Sequence, residues 1–162
     1  MTTTLTTGTK ATSSLLLLLL LSQPVNADQA KMPTLLNLVA GIESSHNPQA
    51  VGDSGLARGE FQFHRAAWEQ VSAQFKKQGK KAYPYAYAHD SIVARKYADA
   101  YLSWIATSLQ SKLGRKPLAW EIYAAFNRGV GGFQSVGFKF ARLPKHTQRS
   151  CLHIAKTFGE PL

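Results

Sequence analysis

Residues 35–62, LLNLVAGIESSHNPQAVGDSGLARGEFQ, change character half-way along. Up to Ser44 the apolar side chains Leu35, Leu38, Val39 and Ile42 repeat at the spacing of one helix face, and Pro33 and Thr34 suit the start of that helix. Beyond it come Asn47-Pro48, Gly52-Asp53-Ser54-Gly55 and Gly59, a density of turn formers that predicts a loop or short hairpin. Glu43 stands at the junction. It follows Leu36 and Ala40 by seven and three positions, beside the apolar stripe and in the last helical turn. Partial burial and the negative end of the helix both oppose ionisation of a carboxyl group placed there. A general acid working near neutral pH needs that bias. An ordinary helix-end glutamate turned to water has the same spacing, so spacing alone leaves both readings open.

Outward from this stretch the pattern is helical. Trp68, Val71 and Phe75 predict a helix over 65–78. Asp90 is a natural N-cap and Gly114 a natural stop for a long central helix, with Val93, Tyr97, Tyr101, Trp104 and Ile105 facing inward. Pro117 suits the first turn of a fourth helix that carries Leu118, Ile122, Ala125 and Phe126 on one face. Gly129, Gly131, Gly132 and Gly137 predict a flexible loop, and a last helix begins near Lys145. There is no internal repeat.

The first 27 residues read differently. Lys10 is the only charge before Asp28, Leu15 to Leu21 form an unbroken apolar run, and Val25-Asn26-Ala27 is a small-residue cleavage site. This predicts a signal peptide over 1–27, one domain over 28–162, and an exported protein in the periplasm, cell envelope or extracellular space. The apolar run is too short for a spanning helix. The 162 residues carry 19 Lys+Arg against 9 Asp+Glu, a net charge of +10. For an exported chain that excess points to anionic cell-wall polymers, lipid head groups or acidic glycans, and away from nucleic acid. Lys76, Lys77, Lys80 and Lys81 are the densest group, either a solvated helix end or a wall-binding patch. Cys151 is alone, which excludes an intramolecular disulfide, and its apolar neighbours predict a buried side chain. The five histidines lack metal-ligand spacing, so no metal or cofactor is expected.

Three motifs occur in order: Glu43-Ser44 ending a helix, Gly59-Glu60-Phe61-Gln62 after the hairpin, and Phe126-Asn127-Arg128-Gly129. Together they resemble the lysozyme-like superfamily, in particular the lytic transglycosylases (SLT domain) and the goose-type lysozymes. The resemblance spans about Leu35 to Gly132. It implies a mostly α, α+β fold, a helical domain with a short β-hairpin beside the catalytic cleft. It also implies cleavage of the β-1,4 bond between N-acetylmuramic acid and N-acetylglucosamine in peptidoglycan, and a monomer is expected. On this resemblance Glu43 is the general acid. Ser44 supports it or bonds the glycan, Gln62 contacts sugar near the scissile bond, and Asn127 binds an N-acetyl sugar.

Two departures matter. The family's tyrosine before the asparagine is Phe126 here, and Tyr123, one turn earlier, is either its substitute or a core residue. The family's Leu-Met before the glutamine is Glu60-Phe61, which puts Glu60 near the cleft or in solvent. The spacing of Gly52-Asp53 through Gln62 matches goose-type lysozymes, where an aspartate helps position water. The second acidic position of those enzymes is His64 here. A lytic transglycosylase needs only one glutamate, because the sugar's own 6-hydroxyl attacks. The leaning is toward that reaction, with a hydrolase assisted by Asp53 as the alternative. A non-catalytic peptidoglycan-binding envelope protein is the rival from another class.

Overall fold

A computed structural model describes Met1 and residues 27–162, with side chains from Lys31 onward. The proposed signal peptide lies outside the described residues except for its two end positions. Six α-helices are described: α1 (Ala27–Ser44), α2 (Arg65–Lys77), α3 (Ser91–Leu113), α4 (Ala119–Arg128), α5 (Val130–Ser135) and α6 (Lys145–Phe158). Between α1 and α2 lie three two-residue strands, β1 (Val51–Gly52), β2 (Ala57–Arg58) and β3 (Phe63–His64). They pair antiparallel in the order β1-β2-β3, with Gly52 opposite Ala57 and Ala57 opposite His64. The fold is therefore mostly α with a small sheet, as expected, though the sheet has one strand more than a hairpin.

Helix α3 runs through the middle. The Asp90 carboxylate accepts from the amides of Ile92 and Val93, and Gly114 closes the other end with φ 67°. Its buried face, Val93, Tyr97, Tyr101, Ile105 and Leu109, meets α1, α2 and α4. Trp68 of α2 stacks on Tyr97 with ring centroids 3.8 Å apart. Its indole N–H donates to the Tyr83 carbonyl at 2.8 Å, so the ring is buried without an orphaned donor. Phe63 links this cluster to Phe126 at 6.1 Å, so the same aromatic core underlies the sheet and the end of α4.

Three expectations need correction. Helix α1 begins at Ala27, and Pro33 lies inside it. Pro33 is exposed and stands in the second turn of α1, where its missing N–H leaves the helix one backbone bond short. Helix α4 starts after Pro117, with Leu118 as N-cap, because the Glu121 carboxylate accepts from the Leu118 amide at 2.8 Å. The glycine-rich stretch after Arg128 forms α5 instead of an open loop. Val130 and Phe133, three residues apart, are both buried, and that anchorage outweighs the poor helix propensity of Gly131 and Gly132.

With strands this short, the helical body holds the sheet in place. The Tyr85 hydroxyl lies 2.8 Å from the Leu56 carbonyl and 2.5 Å from that of Phe63. Gly59 has φ +76°, and a Cβ there would stand 1.7 Å from the Ala88 carbonyl oxygen. Gly55 has φ +95° but faces open space. Gly59→Ala should therefore destabilise the fold by more than about 2 kcal/mol, since a clash adds to the roughly 1–2 kcal/mol of left-handed strain. Gly55→Ala should cost only the strain. Urea melts of the two variants side by side check this ordering.

Candidate active site

Glu43 is half-buried in the last turn of α1. Its Oε1 accepts a hydrogen bond from the Tyr123 hydroxyl of α4 at 3.1 Å. Burial pushes its pKa from 4.5 up to about 7, and the nearby Asp53 charge acts in the same direction. The Tyr123 bond and His64 oppose the shift, because both favour the carboxylate, but burial dominates. Tyr123 is itself buried, and burial followed by the adjacent Glu43 charge raises its phenol well above its ordinary value. It therefore stays protonated and remains a donor.

Glu43 opens into a cavity of about 430 Å³. The sheet side contributes Asp53, Ala57, Gln62 and His64, and the end of α4 contributes Phe126, Asn127 and Arg128. His146, from the first turn of α6, completes the wall. Asp53 and Gln62 both have positive φ, 47° and 46°. Such conformations are sparsely populated by non-glycine residues and gather at functional sites. The Gln62 amide donates to the Gly59 carbonyl at 2.9 Å. Its Oε1 occupies the space over Gly52 that a Cβ would need, at 2.3 Å. The Asn127 side-chain oxygen accepts from the Thr147 hydroxyl at 2.9 Å, which leaves the amide nitrogen of Asn127 for other partners. His64 Nε2 meets Asp53 Oδ2 at 2.8 Å.

The structure thus brings Glu43, Asp53, Gln62, Asn127 and Tyr123 together around one cavity or its floor. Ser44 and Glu60 are placed elsewhere. The Ser44 hydroxyl donates to the Glu60 carbonyl at 2.8 Å and so ties α1 to the sheet. Glu60 is neither in solvent nor in the cavity wall. Its carboxylate is buried, bonded to the Arg95 guanidinium at 2.5 Å, with His46 at 3.5 Å. The guanidinium explains the inward turn, since a buried carboxylate needs a paired charge. His146 and Arg128 were not among the expected residues. His146 had no motif around it, and only the packing of α6 against α4 brings it to the cavity.

Among the described residues no group of three His, Cys, Asp or Glu side chains could hold a metal ion, and no helix is long and apolar enough to cross a membrane. Cys151 is buried beneath α4, its thiol pushed up to about 12 by burial, and takes no part in the cavity.

One carboxyl group poised near neutrality, a phenol bonded to it, and amides at the rim form an arrangement that can protonate a glycosidic oxygen. Residues 22–145 match the family model of the transglycosylase SLT domain. The chain belongs to this family. Neither a curated protein nor a solved structure matches it recognisably. The family match supports a lytic transglycosylase-type activity on peptidoglycan. It ends where α6 begins, so His146 and Thr147, which reach the cavity and Asn127, lie just past it.

The Glu43 assignment has a consequence for stability. Between pH 4.5 and about 7 the folded chain keeps a proton that the unfolded chain has released, so stability falls as pH rises through that window. At about 1.4 kcal/mol per pH unit the loss approaches about 3 kcal/mol above neutrality. Glu43→Gln, which cannot ionise, should melt above wild type at pH 8 and level with it at pH 4. Thermal melts at the two pH values check the sign.

Proposed function

We propose that this protein is an exported peptidoglycan lytic transglycosylase that uses Glu43 as both acid and base in the anhydro-forming reaction. The observation that carries the reading is the Glu43 carboxyl group, held near pKa 7 at the cavity floor with the Tyr123 hydroxyl on Oε1. Glu43 first gives its proton to the oxygen between N-acetylmuramic acid and N-acetylglucosamine, which turns a poor leaving group into a hydroxyl. The transition state has oxocarbenium character, and the carboxylate left behind stabilises the positive charge that develops at the anomeric carbon. That carboxylate then takes the proton of the muramyl 6-hydroxyl as its oxygen bonds the anomeric carbon, which closes a 1,6-anhydro ring and restores the acid. A pKa near 7 serves both halves, because neither protonation nor release is strongly disfavoured.

Tyr123 supplies the hydroxyl that Phe126 lacks. Its bond to the ionised form steadies Glu43 at the moment when it becomes a base. Gln62 and Asn127 contact the N-acetyl sugars from opposite sides of the cavity. The basic surface assists retention on anionic wall polymers. Lys76, Lys77, Lys80 and Lys81 are all exposed, and the ammonium groups of Lys80 and Lys81 lie over the Phe75 and Tyr83 rings at 5.9 and 4.7 Å.

Purified wild-type protein should release 1,6-anhydro muropeptides from peptidoglycan, read by mass spectrometry. Glu43→Gln should lower the rate at least about 10²-fold while glycan binding persists. Wild-type clearing by that variant would refute the assignment, and binding without clearing by the wild type would favour the non-catalytic reading. Tyr123→Phe removes a bond that lowers the Glu43 pKa, so the alkaline limb of its pH–rate profile should move upward. An unmoved limb would mean that the phenol does not act on the acid.

Sedimentation with cell walls at low and high salt tests the charge contribution. Binding should weaken as the Debye length falls to about 3 Å at 1 M salt.

A further inference from the structure

We propose that His64, oriented by Asp53, is a second proton acceptor in the cavity and gives the protein a hydrolytic turnover beside the anhydro-forming one. The inference rests on the reading of Glu43 as the acid acting on peptidoglycan. Three observations carry it. His64 lines the same cavity as Glu43 and stands opposite Ala57 in the sheet, whose small side chain also lines that cavity. Asp53 directly follows β1 and reaches across to His64 Nε2 at 2.8 Å, from a backbone conformation with φ 47° that few residues other than glycine adopt. His64 Nδ1 makes no hydrogen bond or ion pair with the described residues.

A carboxylate only accepts, so in the neutral imidazole the bond to Asp53 favours the tautomer with its proton on Nε2 and its lone pair on Nδ1. This is the tautomer a base requires. Glu43, Arg128 and His146 share the cavity, and none of them bonds the imidazole. In the hydrolytic step the oxygen of a water molecule bonds the anomeric carbon while the carbon–oxygen bond to the leaving sugar breaks. The water proton passes to Nδ1, and the Glu43 proton passes to the leaving oxygen. The imidazolium, stabilised by the Asp53 carboxylate, returns its proton to Glu43 through solvent. Asp53 is thus a positioning residue, and the second acceptor is an imidazole instead of a second acid.

The test counts two product ends in one digest of peptidoglycan by the full chain. Borohydride reduction marks reducing ends, and mass spectrometry compares them with 1,6-anhydro ends. Wild type should give both. His64→Gln should lower the ratio of reducing to anhydro ends about 10²-fold, the lower figure for loss of a general base. Asp53→Asn should lower it in the same direction but less. A merely structural role would lower both ends together and leave the ratio alone. His64→Ala with added imidazole should regain reducing ends, an arm that still decides the matter if His64→Gln folds poorly. An unchanged ratio in His64→Gln, no rescue by imidazole, or a wild-type digest with anhydro ends alone would overturn the proposal. A wild type that produces neither end would instead sink the glycosidase reading beneath it.

Discussion

A sheet of three two-residue strands cannot hold its own shape, and the cavity depends on how the helices hold it. Strands of ordinary length bury a face and share many ladder bonds. Here the restraints come from outside the sheet. Tyr85 bonds the Leu56 carbonyl just before β2 and the Phe63 carbonyl in β3, Gly59 lies against the Ala88 carbonyl, and Ser44 bonds the Glu60 carbonyl. The Glu60–Arg95 ion pair adds a tie to α3. Asp53, Gln62 and His64 stand on this platform, so their positions relative to Glu43 are set by contacts with α1, α3 and the turn before α3. The platform's rigidity is a property of the helical body.

Glu43, Glu60 and Glu121 all lose water on folding, in different surroundings. Glu121 faces the Arg115 guanidinium through two bonds, at 2.6 and 2.8 Å, and also accepts the Leu118 amide. Glu60 has Arg95. Each of these carboxylates meets a permanent positive charge, which offsets the loss of hydration. Glu43 meets a neutral phenol, which offsets less. Its pKa rises because burial outweighs that bond, and this acid is the one that opens into the cavity.

How much of this was legible in the sequence depended on how local the cause was. Helix α3 could be bounded from Asp90 and Gly114, because a cap acts within a turn of the chain. Glu43 at the helix end and the turn-rich segment after it were legible for the same reason. Helix α5 was not, since Val130 and Phe133 stabilise it only through burial against distant elements. Glu60 had no local sign of its inward turn, because Arg95 lies 35 residues away. His146 was silent for a similar reason. The motif resemblance supplied Gln62 and Asn127, but the partners that orient them, Gly59 and Thr147, emerged only from the packing.

The hydroxyl that the motif resemblance leads one to expect just before Asn127 is absent, and Tyr123, one helical turn earlier, bonds the Glu43 carboxyl group. Position 126 is phenylalanine, and its ring joins the aromatic cluster with Phe63 and Tyr101 under the cavity. Tyr123, three residues earlier, projects from nearly the same side of α4, since three residues nearly complete a turn. Its longer reach from deeper in the core brings the oxygen to Glu43 while the ring stays buried. The exchange keeps a donor at the carboxyl group and gives the core one more apolar ring. It also makes the donor drier than a rim tyrosine would be, which strengthens its hold on a proton and on its direction. On the proposed mechanism the chemistry needs an oxygen at hydrogen-bond distance from Glu43, and Tyr123 holds one there from a turn before Phe126.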